Sequence, residues 1–231
     1  GLVHVFFYRK LLRASTMVEP ADVFVIAVPT PFGENHAPDI SYVLSAATSI
    51  AAALKAGDTV IVESTSPVGT TDRVKDLIAQ LRPDLKVPGV TTETPDIAIA
   101  YCPERVLPGK ILEELISNDR SIGGITPRCA RKALSFYKRF VRGECVTTDA
   151  RSAEMTKLAE TTYRDVNIAL ANEFAQVAAR RGIDVTEVIA AASAMVKGNF
   201  SAGSDWKNCR RSPTNLAMSS SVHSQARCTL S

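Results

Sequence analysis

The chain has 231 residues, 45% hydrophobic and 22% charged, with 12 Gly, 12 Pro and a formal net charge of +3. That is a globular composition, long enough to build a core without disulfides, and no apolar run approaches the roughly 20 residues of a membrane helix. Residues 197–231 hold five basic groups against one acid, leaving 22 basic and 23 acidic groups before them, so the near-neutral body lacks the footprint of a nucleic-acid binder.

Gly1–Phe7 is too short for a secretory apolar region, so no export signal is expected. The five cysteines (Cys102, Cys129, Cys145, Cys209 and Cys228) are odd in number and form no CxxC pair. They fit the reduced thiols of a cytoplasmic protein. The three histidines lie outside every periodic segment, so no metal centre is expected.

Val23–Val28 is a continuous apolar run ended by Pro29, as in a strand buried on both faces. Asp39 can cap a helix that runs to about Lys55 and stops at Gly57. Thr59–Glu63 reads as a second strand, followed by a helix from about Gly69 to Leu81. Ile97–Cys102 is a third strand and Arg120–Ile122 a short fourth. Pro127 fits the first turn of the next helix, and Cys145–Thr147 is a fifth strand. Alternating strands and helices predict βα units on a parallel sheet.

From about Ala150 the pattern changes. Residues 152–181 read as one long helix closed by Gly182, and Asp184 with Glu187 starts another. Residues 195–231 are Ser-rich, without apolar period, and have a disordered composition.

Three turns follow the three clear strands, at the ends that form the ligand crevice of an open α/β sheet. They are Val28-Pro29-Thr30-Pro31, then Glu63-Ser64-Thr65-Ser66-Pro67-Val68-Gly69-Thr70-Thr71, then Cys102-Pro103-Glu104-Arg105-Val106-Leu107-Pro108-Gly109. The hydroxyls and N–H groups of the second turn suit an anion or water, and equally suit plain helix capping. Glu104 reads as a solvated loop carboxylate or as a general base. On the long helix, Glu154, Lys157, Thr161, Arg164 and Ile168 share one stripe. That stripe is either an exposed charged face, or a face on which Lys157 stabilises a developing alkoxide.

Longer strings go beyond spacing. Ala27–Phe32, Glu63–Thr70, Tyr101–Gly109, Ala153–Glu160 and Arg164–Ala169 together resemble the nucleotide-sugar dehydrogenases, the UDP-glucose/UDP-N-acetylmannosamine dehydrogenase family, over roughly residues 11–193. The Pro-Glu-Arg-Val-Leu-Pro-Gly turn is similar to the UDP-N-acetylmannosamine branch. The resemblance implies an α/β fold: a partial Rossmann-like NAD-binding domain over 1–149, an all-α central domain over 150–194, and an unmatched tail over 195–231. It implies NAD-dependent oxidation of the C6 hydroxyl of a UDP-sugar to a carboxylate, through a cysteine-held aldehyde and a thioester. By motif, Thr30, Thr65 and Thr71 would contact NAD or order water. Glu104 would assist thioester hydrolysis. Arg105, Val106, Thr161 and Arg164 would hold the UDP-sugar, Lys157 would stabilise the oxyanion, and the long helix would pair in a homodimer.

Three features depart from the family. Gly1–Lys10 is not a Gly-x-Gly-x-x-Gly phosphate grip, Thr161 stands where the family has Asn, and no Gly-Gly-His-Cys segment occurs. The expectation is therefore a chain with little or no turnover of its own. UDP-glucose or another UDP-hexosamine as substrate, and a non-catalytic dimerising module, are the alternatives.

Overall fold

The computed structural model describes residues 14–89, 94–106 and 111–195. The expectations for Gly1–Lys10, for the tail and for Cys209 and Cys228 lie outside the described residues. The chain divides into two compact units: residues 1–31 with 39–154, and residues 32–38 with 155–231.

The first unit is built on a five-stranded sheet among the described residues. Its strands are β1 (Val23–Ile26), β2 (Thr59–Val62), β3 (Ala98–Tyr101), β4 (Arg120–Gly124) and β5 (Cys145–Asp149), side by side in chain order. Helices α1 (Ser41–Ala51), α2 (Thr70–Leu81), α3 (Ile111–Ser117) and α4 (Pro127–Tyr137) connect them. β1, β2 and β3 are parallel, with Val25 opposite Ile61 and Ile61 opposite Ala100. The wholly parallel sheet expected from the alternation stops there. β4 runs antiparallel to β3, pairing Tyr101 with Gly123, and β5 is parallel to β4. Antiparallel neighbours need no crossover over a sheet face. Among its described residues, the segment between Cys102 and Asp119 accordingly holds only α3, a seven-residue helix that sequence periodicity did not reveal.

Both faces are covered at the centre of the sheet, so β2 and β3 are buried at every position, whereas β1, expected to be buried on both faces, lies at the end of the strand order and leaves Val25 exposed. Val60 and Val62 face one cluster with Val43, Ala47, Val74 and Ile78 from α1 and α2. Ile61, Ala100 and Ile122 face a second cluster with Ala133, Tyr137 and Val141. α4 begins as expected: Thr126 accepts from the Cys129 N–H and Pro127 occupies the first turn. It lies so close to β4 that a Cβ on Gly124 would collide with its backbone.

Asp149 ends β5, and helix α5 (Ala150–Arg180) starts at the next residue, two earlier than periodicity suggested. The Asp149 side chain explains the early start. Its carboxylate accepts from the Ser152 N–H at 2.9 Å and from the Ser152 hydroxyl at 2.6 Å, and these bonds hold it below the usual carboxylate range. The first turn of α5 rests on β4, where only Gly123 leaves room for Asp149 and Ala153.

The second unit contains the rest of α5 and helix α6 (Val185–Met195). Gly182, with φ +66°, ends α5 in the left-handed conformation. Asp184 caps α6 by accepting from the Thr186 N–H at 2.8 Å.

Candidate functional site

The turns after β1 and β2 are stitched together. The Ser64 hydroxyl donates to the Val28 carbonyl at 2.8 Å and accepts from the Val28 N–H at 2.8 Å. The Thr30 hydroxyl donates to the Thr65 carbonyl at 2.6 Å. Buried Ser64 therefore fixes the two backbones, while the Thr65 side chain stays exposed at the rim. The third turn is tied to the same edge. The Cys102 N–H donates to the Val62 carbonyl at 2.9 Å, and Pro103 is buried.

Beyond Pro103 the loop turns outward. Glu104 is exposed, and its carboxylate accepts from the Val106 N–H. Half-buried Arg105 donates to the Asp119 carbonyl at 2.9 Å, and Asn118 donates to the Arg105 carbonyl at 3.0 Å. Arg105 and Val106 are thus carried on a loop fastened to the start of β4.

The N-terminus of α2 answers the question left open between anion site and cap. Gly69 adopts φ +93°, a left-handed turn open to glycine. Its N–H donates to the Glu154 carboxylate at 2.5 Å. The Thr71 N–H and hydroxyl donate to the other oxygen of the same group at 2.8 and 2.6 Å. A protein carboxylate therefore occupies the position an anion would take at a helix N-terminus. Thr71 is fully buried with its hydroxyl proton directed at Glu154. The exposed charged stripe considered for α5 is corrected at this residue, since Glu154 is 0% exposed. Nearby Tyr101 is equally buried and its hydroxyl has no hydrogen-bond partner. Burial, with the Glu154 charge adding to it, pushes its phenol well above the ordinary value.

Sequence reasoning also missed a polar cluster behind the second and third turns. Tyr137 donates to the Glu63 carboxylate at 2.7 Å. The buried Arg120 guanidinium lies 4.9 Å from the Tyr137 ring centre and 3.9 Å from the same carboxylate. Arg120 Nη2 donates to the Leu115 carbonyl at 3.2 Å. Cys102 is buried beside them, and burial pushes its thiol up to about 11 against the opposing pull of Tyr137 and Arg120. Only the strand-end position of Glu63 hinted at this cluster; nothing local marks Arg120 or Tyr137 as its partners.

Lys157, Thr161 and Arg164 belong to the second unit, at i, i+4 and i+7 on α5, each half-buried. The Thr161 hydroxyl donates back to the Lys157 carbonyl at 2.9 Å, so its proton is used within the helix. Beside Arg164, burial raises the Asp165 carboxyl while the guanidinium opposes the shift. On the same helix Tyr163, Val166, Leu170, Phe174 and Val177 form an exposed apolar stripe. No group of ligating side chains suited to a metal occurs among the described residues. None of the described helices is long and apolar enough to cross a membrane.

Residues 3–141 match the NAD-binding domain of the UDP-glucose/GDP-mannose dehydrogenase family, and residues 151–204 match that family's central domain. The chain is 56% identical over 178 residues to the UDP-N-acetyl-D-mannosamine dehydrogenase of Escherichia coli, covering 77% of this chain and 42% of that protein. It is 53% identical over 192 residues to an NDP-N-acetyl-D-galactosaminuronic acid dehydrogenase of Ralstonia nicotianae, covering 83% and 45%. Among solved structures it is similar to the UDP-N-acetyl-mannosamine dehydrogenase of Staphylococcus aureus, at 47% identity and a TM-score of 0.70, covering 85% of this chain and 46% of that one. The chain thus spans less than half the length of the curated relatives it matches.

Proposed function

The chain belongs to the UDP-glucose/GDP-mannose dehydrogenase family, and from that premise we propose that the protein serves NAD-dependent oxidation of the C6 hydroxyl of UDP-N-acetyl-D-mannosamine to the uronate. The observation that carries the reading is the stitched pair of turns at the C-terminal ends of β1 and β2, within a segment matching an NAD-binding domain. The relatives at 56% and 53% identity support an N-acetylhexosamine nucleotide over UDP-glucose.

The rim residues fit a dinucleotide's hydroxyl and amide groups. The Thr65 hydroxyl is exposed, and the Thr30 oxygen keeps acceptor capacity after donating to Thr65. At the α2 N-terminus Glu154 takes the Gly69 and Thr71 N–H groups and the Pro67 carbonyl takes that of Thr70, so these three are not offered to a pyrophosphate. When bound, NAD supplies a hydride acceptor for each two-electron step.

The chain's own residues take the remaining roles. Thr30 and Thr65 hold the cofactor, and Thr71 keeps its turn in shape. The ammonium of Lys157 stabilises charge developing on the substrate oxygen. Glu104, exposed on its loop, directs water at an acyl intermediate. Arg105, Val106 and Arg164 hold the nucleotide sugar, with Thr161 as an acceptor on the same helix. The exposed stripe Tyr163–Val177 supports a homodimer built on α5. UDP-sugars and NAD are cytosolic reactants, which favours a cytoplasmic protein.

The 231-residue chain by itself is expected to give little or no turnover, since its sequence holds neither a Gly-x-Gly-x-x-Gly turn nor a Gly-Gly-His-Cys segment. The test measures NADH formation at 340 nm with UDP-N-acetyl-D-mannosamine, UDP-N-acetyl-D-galactosamine and UDP-glucose, together with NAD binding by calorimetry. NAD binding without turnover is the expected result. Robust turnover by the chain alone would sink the inactivity, and a preference for UDP-glucose would sink the substrate assignment.

A further inference from the structure

Glu154 is a fully buried carboxylate that receives three hydrogen bonds, all from Gly69 and Thr71. Two of them come from N–H groups that no carbonyl of α2 can accept from, since the first turn of a helix has no preceding turn. The donors lie 85 and 83 residues away in sequence. Glu154 itself has little freedom. The first turn of α5 is pinned by the close approach of Ala153 to Gly123 and by the Arg151–Asp72 ion pair at 2.7 Å.

The turn held by Glu154 continues into the rim. Ser66 donates to the Ser64 carbonyl at 3.1 Å, Ser64 bonds Val28 in both directions, and the Thr65 carbonyl accepts from Thr30. The path from Glu154 to the Thr30–Thr65 pair is therefore one backbone segment, Thr65–Gly69, fixed at both ends. Loss of the carboxylate would leave the half-buried Gly69 N–H and the buried Thr71 N–H without acceptors, and the turn would relax toward water to satisfy them.

We propose that Glu154 is a positioning residue for dinucleotide binding: by capping α2 from a distant helix it sets the geometry of the Thr30–Thr65 rim. This rests on the reading that those turns hold NAD. The expected behaviour of E154Q is a folded chain in which one amide group replaces an acceptor oxygen. The Gly69 and Thr71 amides should exchange at least about tenfold faster with deuterium, and the NAD dissociation constant should rise about tenfold.

R82A is the matched control. It removes guanidinium bonds to the Ala51 and Leu54 carbonyls at the other end of α2, and should lower the melting temperature without changing NAD affinity. Should E154Q fail to fold, E154D keeps the charge but withdraws it by one methylene, and carries the same comparison. Unchanged NAD affinity in a variant whose two amides exchange faster would overturn the positioning role and leave the NAD reading standing. Equal weakening in R82A would reduce the effect to general stability and overturn it as well. If the wild-type chain binds no NAD, the functional reading fails first and the positioning role falls with it.

Discussion

The phenol of Tyr137, on α4, donates a 2.7 Å hydrogen bond to the carboxylate of Glu63, at the end of β2. The bond bridges a helix and the sheet it covers, and Arg120 packs against both partners. Y137F keeps the ring beneath the guanidinium and removes only the hydroxyl. Urea unfolding should show a loss of about 1 kcal/mol. E63Q, which takes the negative charge from a buried arginine, should cost at least twice as much; a smaller loss than Y137F would mean that Arg120 does not depend on Glu63.

Stability should fall at alkaline pH. The buried Cys102 thiol is pushed up to about 11 from an ordinary value near 9. Between those values the unfolded chain releases the proton and the folded chain retains it, so stability declines as pH rises through that window. The loss attributable to this thiol by pH 11 is roughly 2–3 kcal/mol, with Tyr101 and Tyr137 shifted in the same direction. C102A should flatten the curve between pH 9 and 11 by about that amount. An identical pH profile in C102A would refute the assignment.

Glycine substitutions should divide sharply. A Cβ at Gly123 would press on the Asp149 carbonyl and on Ala153, so G123A should lose about 3 kcal/mol or more, or fail to accumulate as soluble protein. A Cβ at Gly57 meets nothing, although φ is +103°. G57A therefore carries only the left-handed penalty of about 1–2 kcal/mol. Thermal melts of the pair provide the comparison, and equal losses would contradict the packing argument.

The exposed stripe on α5 makes a prediction about assembly. Replacing Leu170 and Phe174 together by Lys places two charges within an apolar row. A homodimer held by that row should become a monomer in sedimentation velocity, with helix content unchanged by circular dichroism. A dimer that survives both changes uses another surface.

Much of the first unit was legible because its central strands β2 and β3 are buried on two faces and its helices carry ordinary stop signals. Val23–Ile26, Thr59–Val62 and Ala98–Tyr101 fall within the apolar runs that predict them, and Thr126-Pro127 and Gly182 act as written in the chain. What could not be read was direction and partnership. Residues 120–124 look the same whether parallel or antiparallel to β3, and the choice depends on a short return through α3. Glu154 sits in a helix of charged residues, and only the fold brings it to Gly69 and Thr71. The sequence of Gly69–Thr71 suits an anion or a plain cap equally, because the carboxylate that accepts from it lies more than 80 residues away.

The strand order β1-β2-β3-β4-β5 is also the order of synthesis. Among the described residues no strand has to slip between two that are already paired, so a nascent chain can enlarge this part of the sheet by adding each new strand to its growing edge. α1 and α2, which cover one side of β2 and β3, emerge next to the strands they protect, whereas α4, which covers the other side, follows only after β4. The Glu154 cap comes last. Its carboxylate leaves the ribosome more than 80 residues after the turn it closes, so the rim formed by Thr30 and Thr65 acquires its final shape only once the start of α5 has docked.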